Sequence, residues 1–139
     1  MKTVLIAEDN PVNRELLREL LEIRGYAVIE TCNGEEALEQ LQKAQPDILL
    51  LDLNMPVLDG FGTIERIRKH PGFRTLPVLA VTAYAMRGDR EKIMTAGFDG
   101  YLSKPIDPTF LQQELQRLLT QETHKHAPGA QVDAGQRGS

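Results

Sequence analysis

The run DILLLD, residues 47–52, constrains the fold more than any other stretch. Four apolar residues in succession, Ile48 to Leu51, leave no polar face. That is the pattern of a strand covered by helices on both sides. The run then ends on a carboxylate, Asp52, followed by Asn54-Met55-Pro56 after one more leucine. Taking a carboxylate out of water is costly unless something pairs with it. The end of this strand therefore asks for a chemical reason.

Shorter apolar runs recur along the chain. Thr3–Ala7, Ala27–Ile29, Pro77–Val81 and Gly100–Leu102 read as further strands, with residues 47–51 as the third of five. Helical patterns fill the intervals. Asn10-Pro11 is a cap followed by proline at the first helical position, and Val12, Leu16, Leu17, Leu20 and Leu21 follow at helical spacing. Gly25 stands where a C-terminal glycine cap belongs. Asn33-Gly34-Glu35-Glu36 opens a second helix carrying Ala37, Leu38 and Leu41. A third spans Gly60 to about Lys69, with Ile64 and Ile67 inward. A fourth runs from about Met86 to Ala96-Gly97. Asp107-Pro108 repeats the cap-plus-proline signal before a last helix with Phe110, Leu111, Leu115, Leu118 and Leu119. Strands alternating with helices predict βαβ units and a doubly wound α/β domain with a parallel sheet. The pattern stops after Gln121, so residues 122–139 are expected to form a flexible tail.

A net charge of −4 argues against a nucleic-acid-binding surface, which would be basic. No apolar stretch approaches the roughly 20 residues of a membrane-spanning helix. The N-terminal apolar run is too short for a signal peptide, and the single cysteine, Cys32, has no internal partner. A cytoplasmic location is the expectation.

In open α/β sheets, ligands bind beyond the carboxyl ends of the strands. Glu8 and Asp9 follow the first strand, Asp52 the third, Thr82 the fourth, and Lys104-Pro105 the fifth. Three acids, a hydroxyl and a lysine would meet at one sheet edge. Such an oxygen cluster suits Mg²⁺, which keeps several waters and takes phosphate oxygens. Thr82 and Lys104 would serve a phosphoryl group as hydrogen-bond donor and point charge. A carboxylate among them can attack phosphorus and form an acyl phosphate. Taken singly, each residue has a plainer explanation. Glu8 and Asp9 precede a helix whose dipole favours acids, and Asp52 could cap a turn. Thr82 could be a satisfied strand-end hydroxyl and Lys104 a solvated lysine. Their coincidence after separate strands favours the chemical reading.

Glu8-Asp9-Asn10, LLLDLNMPVLDG, VTAYA and YLSKP, in this order and spacing, resemble the receiver domain of two-component response regulators, the CheY-like superfamily. The likeness covers residues 1–121 and extends to single-domain regulators and to receivers of hybrid histidine kinases. It implies a flavodoxin-like three-layer sandwich, (βα)5, with parallel sheet order 2-1-3-4-5. It implies that Asp52 is the phospho-acceptor. Asp9 and Asp52 would bind Mg²⁺ by side chain, Asn54 by its backbone carbonyl, and Glu8 through water. Thr82 and Lys104 would contact the phosphoryl group, and Thr82 with Tyr101 would form the switch. Asn54 and Tyr84 would tune the phosphoryl lifetime. The peptide before Pro105 would be cis. The implied partners are a histidine kinase or histidine phosphotransfer protein and a protein target on the face of the fourth helix, fifth strand and fifth helix. A receiver so built is a signalling domain whose only chemistry is its own phosphoryl transfer and dephosphorylation.

Three other readings stand beside this one. A Mg²⁺-dependent phosphohydrolase would use Asp52 as nucleophile, but it needs an acid two residues on, where Asn54 stands. A flavin or nucleotide binder would need glycines in the first loop, which is AEDNPVNRE. A receiver fragment of a hybrid kinase fits the motifs equally; Met1 and the immediate first strand favour a free-standing chain. Asp59-Gly60 and Asp107 read as turn and cap chemistry. Arg87-Gly88-Asp89 and the tail histidines His124 and His126 carry no function, and Met55 and Met86 read as packing.

Overall fold

A computed structural model of the chain describes residues 1–83 and 87–126. The order of elements is β1 (Thr3–Ala7), α1 (Pro11–Ile23), β2 (Ala27–Thr31), α2 (Gly34–Ala44), β3 (Ile48–Asp52), α3 (Gly60–Lys69), a 3-10 turn (Pro71–Phe73), β4 (Val78–Thr82), α4 (Arg87–Ala96), β5 (Gly100–Ser103) and α5 (Pro108–His126). The strands form one parallel sheet in the order β2-β1-β3-β4-β5, as expected.

Side chains on a strand alternate between faces, and here each face has its own core. Leu5, Ala7, Leu49, Leu51, Val78 and Ala80 pack with Ala37 and Leu41 of α2, Ile64 and Ile67 of α3, and Ile93 of α4. Val4, Ile6, Ile48, Leu50, Leu79, Val81 and Leu102 pack with Leu17 and Leu21 of α1 and with Leu111, Leu115 and Leu118 of α5. Each fully buried aliphatic side chain contributes roughly 1.5–3 kcal/mol. That is why the middle three strands are apolar almost without interruption.

The caps form where the sequence placed them. Asn10 Oδ1 accepts from the backbone N–H groups of Val12 and Asn13 at 2.9 and 3.0 Å. Asp59 Oδ1 accepts from Gly62 N–H at 2.8 Å, and Asp107 Oδ1 from Thr109 N–H at 2.9 Å. Gly25 adopts φ +90° just after α1, a backbone that glycine takes without strain.

Several boundaries differ from expectation. β2, β3, β4 and β5 run on to Thr31, Asp52, Thr82 and Ser103, one or two residues beyond the apolar runs. The ladder is made by backbone groups, so it continues through polar side chains. The 3-10 turn was not anticipated; His70 caps it, its Nδ1 accepting from Gly72 N–H at 3.0 Å. Val12 and Leu16 in α1 and Phe110 in α5 are exposed, because a helix on a sheet buries one stripe only. α5 runs to His126, so residues 122–126 are helical and not part of the expected tail. No glycine or proline interrupts them; the next is Pro128. The rest of that tail, and the positions of Tyr84 and Met86, lie outside the described residues.

Candidate functional site

Strand alternation decides which polar residues meet. Glu8, Asp52 and Lys104 continue the even-numbered positions of β1, β3 and β5, the face of Ile6, Leu50 and Leu102. Because β1 and β3 are neighbours, with Ala7 opposite Leu51, the two acids end up side by side. Lys104 reaches across from beyond β5. Its Nζ lies 3.1 Å from Asp52 Oδ2 and 3.2 Å from Glu8 Oε1. Thr82 belongs to the opposite face, in step with Ala80. Tyr101 lies on that same face, beside Ala80 on the neighbouring strand and one pleat repeat from Thr82.

Both paired acids are buried: Asp52 is 2% exposed and Glu8 1%. Asp9 is exposed, yet one carboxylate oxygen from each of Glu8, Asp9 and Asp52 lies within 4.8 Å of the other two. Burial, then the hydrogen-bonding neighbour Asp52 and its charge, push Glu8 up to about 7. Burial alone would lower the pKa of Lys104; the hydrogen bond and charge of Asp52, with the charge of Glu8, reverse this and raise it. Asp52 Oδ1 also accepts from Asn54 N–H at 3.0 Å, and Glu8 Oε2 from Asn10 N–H at 3.2 Å. Glu8 Oε1 is buried and has the Lys104 charge beside it but no hydrogen-bond donor in good geometry. Three hard oxygen donors, one short of hydrogen bonds, fit a small divalent cation.

The residues expected at the sheet edge fall out as follows. Glu8, Asp9, Asp52 and Lys104 come together directly. Thr82 is buried at the end of β4, and the backbone N–H of Lys104 donates to its carbonyl at 2.8 Å. Asn54 is exposed in the loop after β3, and Tyr101 is half-buried in β5. The Lys104–Pro105 peptide is cis. Tyr84 lies outside the described residues.

Three supporting residues were not legible. Gly60 does more than start α3: a Cβ there would sit 2.7 Å from the Asp52 carbonyl oxygen and from Leu53 Cα. Thr31 accepts the Glu8 N–H at 3.1 Å through its carbonyl, and Arg14 donates to the Glu8 carbonyl at 2.8 Å. Such contacts use backbone atoms, which leave no mark on residue type. The helix-start glycine three residues after Pro56-Val57 was the one available signal.

Residues 4–116 match the family model of the response regulator receiver domain. The polar-differentiation response regulator DivK of Brucella anthropi is 42% identical over 112 residues, 80% of this chain and 91% of that protein. DivK of Brucella ovis is 41% identical over the same shares. Among solved structures, the receiver domain of sensor histidine kinase PA1611 from Pseudomonas aeruginosa PAO1, with a magnesium ion in its active-site cleft, is similar at TM-score 0.80 and 37% identity. It covers 86% of this chain and 98% of that one. The chemotaxis protein CheY4 of Vibrio cholerae gives TM-score 0.80 at 32% identity, over 85% of this chain and 98% of that one.

Proposed function

Because the chain belongs to the response regulator receiver domain family, a family of signalling domains, we propose that Asp52 is its phosphoryl acceptor. The observation that carries this is the placement of Lys104 Nζ between two buried carboxylates, 3.1 Å from Asp52 and 3.2 Å from Glu8. An Asp52 carboxylate oxygen attacks the phosphorus of a phosphohistidine on a partner protein. The new O–P bond forms as the P–N bond breaks, and the histidine leaves with its electron pair. Such transfers need positioning and charge neutralisation more than covalent help. Lys104 supplies a fixed positive charge beside the acceptor. Thr82, at the end of the adjacent strand, offers its hydroxyl to a phosphoryl oxygen.

Asp9 and Asp52 by side chain, Asn54 by its backbone carbonyl and Glu8 through water would hold Mg²⁺, which when bound neutralises charge on the phosphoryl oxygens. The clustering of Glu8, Asp9 and Asp52 oxygens within 4.8 Å supports this, as does the magnesium in the cleft of the PA1611 receiver. Thr82 and Tyr101, on one face of adjacent strands, couple the acceptor to the α4-β5-α5 surface. There a protein target reads the phosphorylated state through a shifted conformational equilibrium. Water later cleaves the acyl phosphate, at a rate set by the residues at 54 and 84. The donor is a histidine kinase or a histidine phosphotransfer protein, neither a nucleic acid nor a membrane. The setting is cytoplasmic, in keeping with the single exposed thiol at Cys32. The likeness to a kinase receiver domain equally favours a receiver within a hybrid kinase, with the same chemistry.

Radiolabelled phosphoryl transfer from a phosphorylated histidine phosphotransfer domain tests this. Wild-type protein is expected to take up label with Mg²⁺ and to lose it in EDTA. Equal labelling of the Asp52→Asn variant would contradict it.

A further inference from the structure

We infer that Arg14 is a positioning residue for the acidic site, clamping the Glu8–Asp9 turn so that its carboxylates stay clustered with Asp52. The inference rests on the reading of Glu8, Asp9 and Asp52 as a Mg²⁺ site.

The backbone at Glu8 stands where β1 has ended and α1 has not begun, so neither element supplies its hydrogen bonds. Its N–H donates to the Thr31 carbonyl at 3.1 Å, extending the ladder by one step. Its carbonyl would be left over. Arg14 lies on the first turn of α1, its N–H bonded to the Asn10 carbonyl at 2.9 Å. Helical side chains lean back towards the N-terminus, and Arg14 Nη1 donates to the Glu8 carbonyl at 2.8 Å. The other side of the same guanidinium is anchored: Nε is 3.4 Å from Glu30 Oε1 on β2. Glu30 Oε2 is held in turn by Arg18 Nε at 3.2 Å. Arg14 is mostly covered, at 19% side-chain exposure.

The choice of acceptor matters. Lys104 already takes one oxygen each of Glu8 and Asp52, and a second cation on these carboxylates would occupy the oxygens left for a metal. Arg14 bonds the carbonyl instead, so it fixes the turn and leaves the acids available. A guanidinium can do this while holding Glu30, because its donors form a rigid fork; an ammonium is a single point.

The test is titration of Mg²⁺ alone, by calorimetry, into the full chain and its variants, with metal-free melting temperatures alongside. Loss of an outer-shell partner commonly weakens metal binding by 10–100-fold, so Arg14→Gln is expected to lose roughly tenfold in affinity. Arg18→Gln shares Glu30 but does not touch Glu8, and is expected to stay within about twofold of wild type. Arg14→Lys should fall between them. Wild-type affinity in Arg14→Gln, or an equal loss in Arg18→Gln, would overturn the inference. If Arg14→Gln does not fold, wild-type affinity in Arg14→Lys would overturn it. Failure of the wild type itself to bind Mg²⁺ would overturn the reading of the acids beneath it.

Discussion

Glu8 is a buried acid facing a second buried acid, and this gives the metal-free protein a pH dependence of definite sign. Its pKa rises from an ordinary 4.5 to about 7 in the fold. Between those values the folded state holds a proton that the unfolded chain has released. Stability therefore falls as pH rises through this window, and its contribution is fully present only below it. In metal-free buffer the melting temperature is expected to drop by several degrees between about pH 5 and about pH 8. Glu8→Gln, which carries no charge at any pH, should flatten that slope. An unchanged slope would show that the acid is not desolvated as the geometry implies. Bound Mg²⁺ favours the ionised acids, so added magnesium should restore stability most at the high-pH end.

At the scale of elements, α3 is seated directly on the backbone at Asp52. Gly60 N–H donates to the Leu53 carbonyl at 3.1 Å, and the space a Cβ would take there is filled by Asp52 and Leu53. Gly60→Ala would place a methyl 2.7 Å from the Asp52 carbonyl oxygen. The two nearest atoms are backbone and cannot swing aside as the Leu53 side chain could, so a loss of roughly 1–3 kcal/mol is expected from urea unfolding. A stability within error of wild type would mean that the seat is looser than it looks. The caps at Asn10, Asp59 and Asp107 were readable because each uses a side chain suited to that position. The strands were readable because both faces are covered. Their ends were not, since backbone ladders run through Thr31, Asp52, Thr82 and Ser103 regardless of polarity. The closeness of Gly60 was hidden for a similar reason: its partner is main chain.

For the molecule as a whole, the sheet order converts scattered residues into a site. The sequence places acids after β1 and β3, but only the adjacency of those strands sets Glu8 beside Asp52. Long-range ties that end on carbonyls were invisible. Arg68 is the clearest case: it donates to the carbonyls of Gly97, Phe73, Arg74 and Leu76 at 2.8–3.1 Å and pairs with Asp99 at 3.0 Å. Asp99 also accepts Val78 N–H at 2.8 Å, tying α3, β4 and the turn before β5 together. Asp99→Ala leaves a mostly buried guanidinium short of its charge partner and should cost about 2 kcal/mol, with the urea slope unchanged. No measurable loss would mean the carbonyls suffice. The central claim concerns Asp52, and intact mass after incubation with acetyl phosphate and Mg²⁺ tests it most directly. A phosphoryl acceptor at Asp52 predicts one added phosphoryl group on the wild type and none on Asp52→Asn or in EDTA. An adduct of the same size on Asp52→Asn would contradict it.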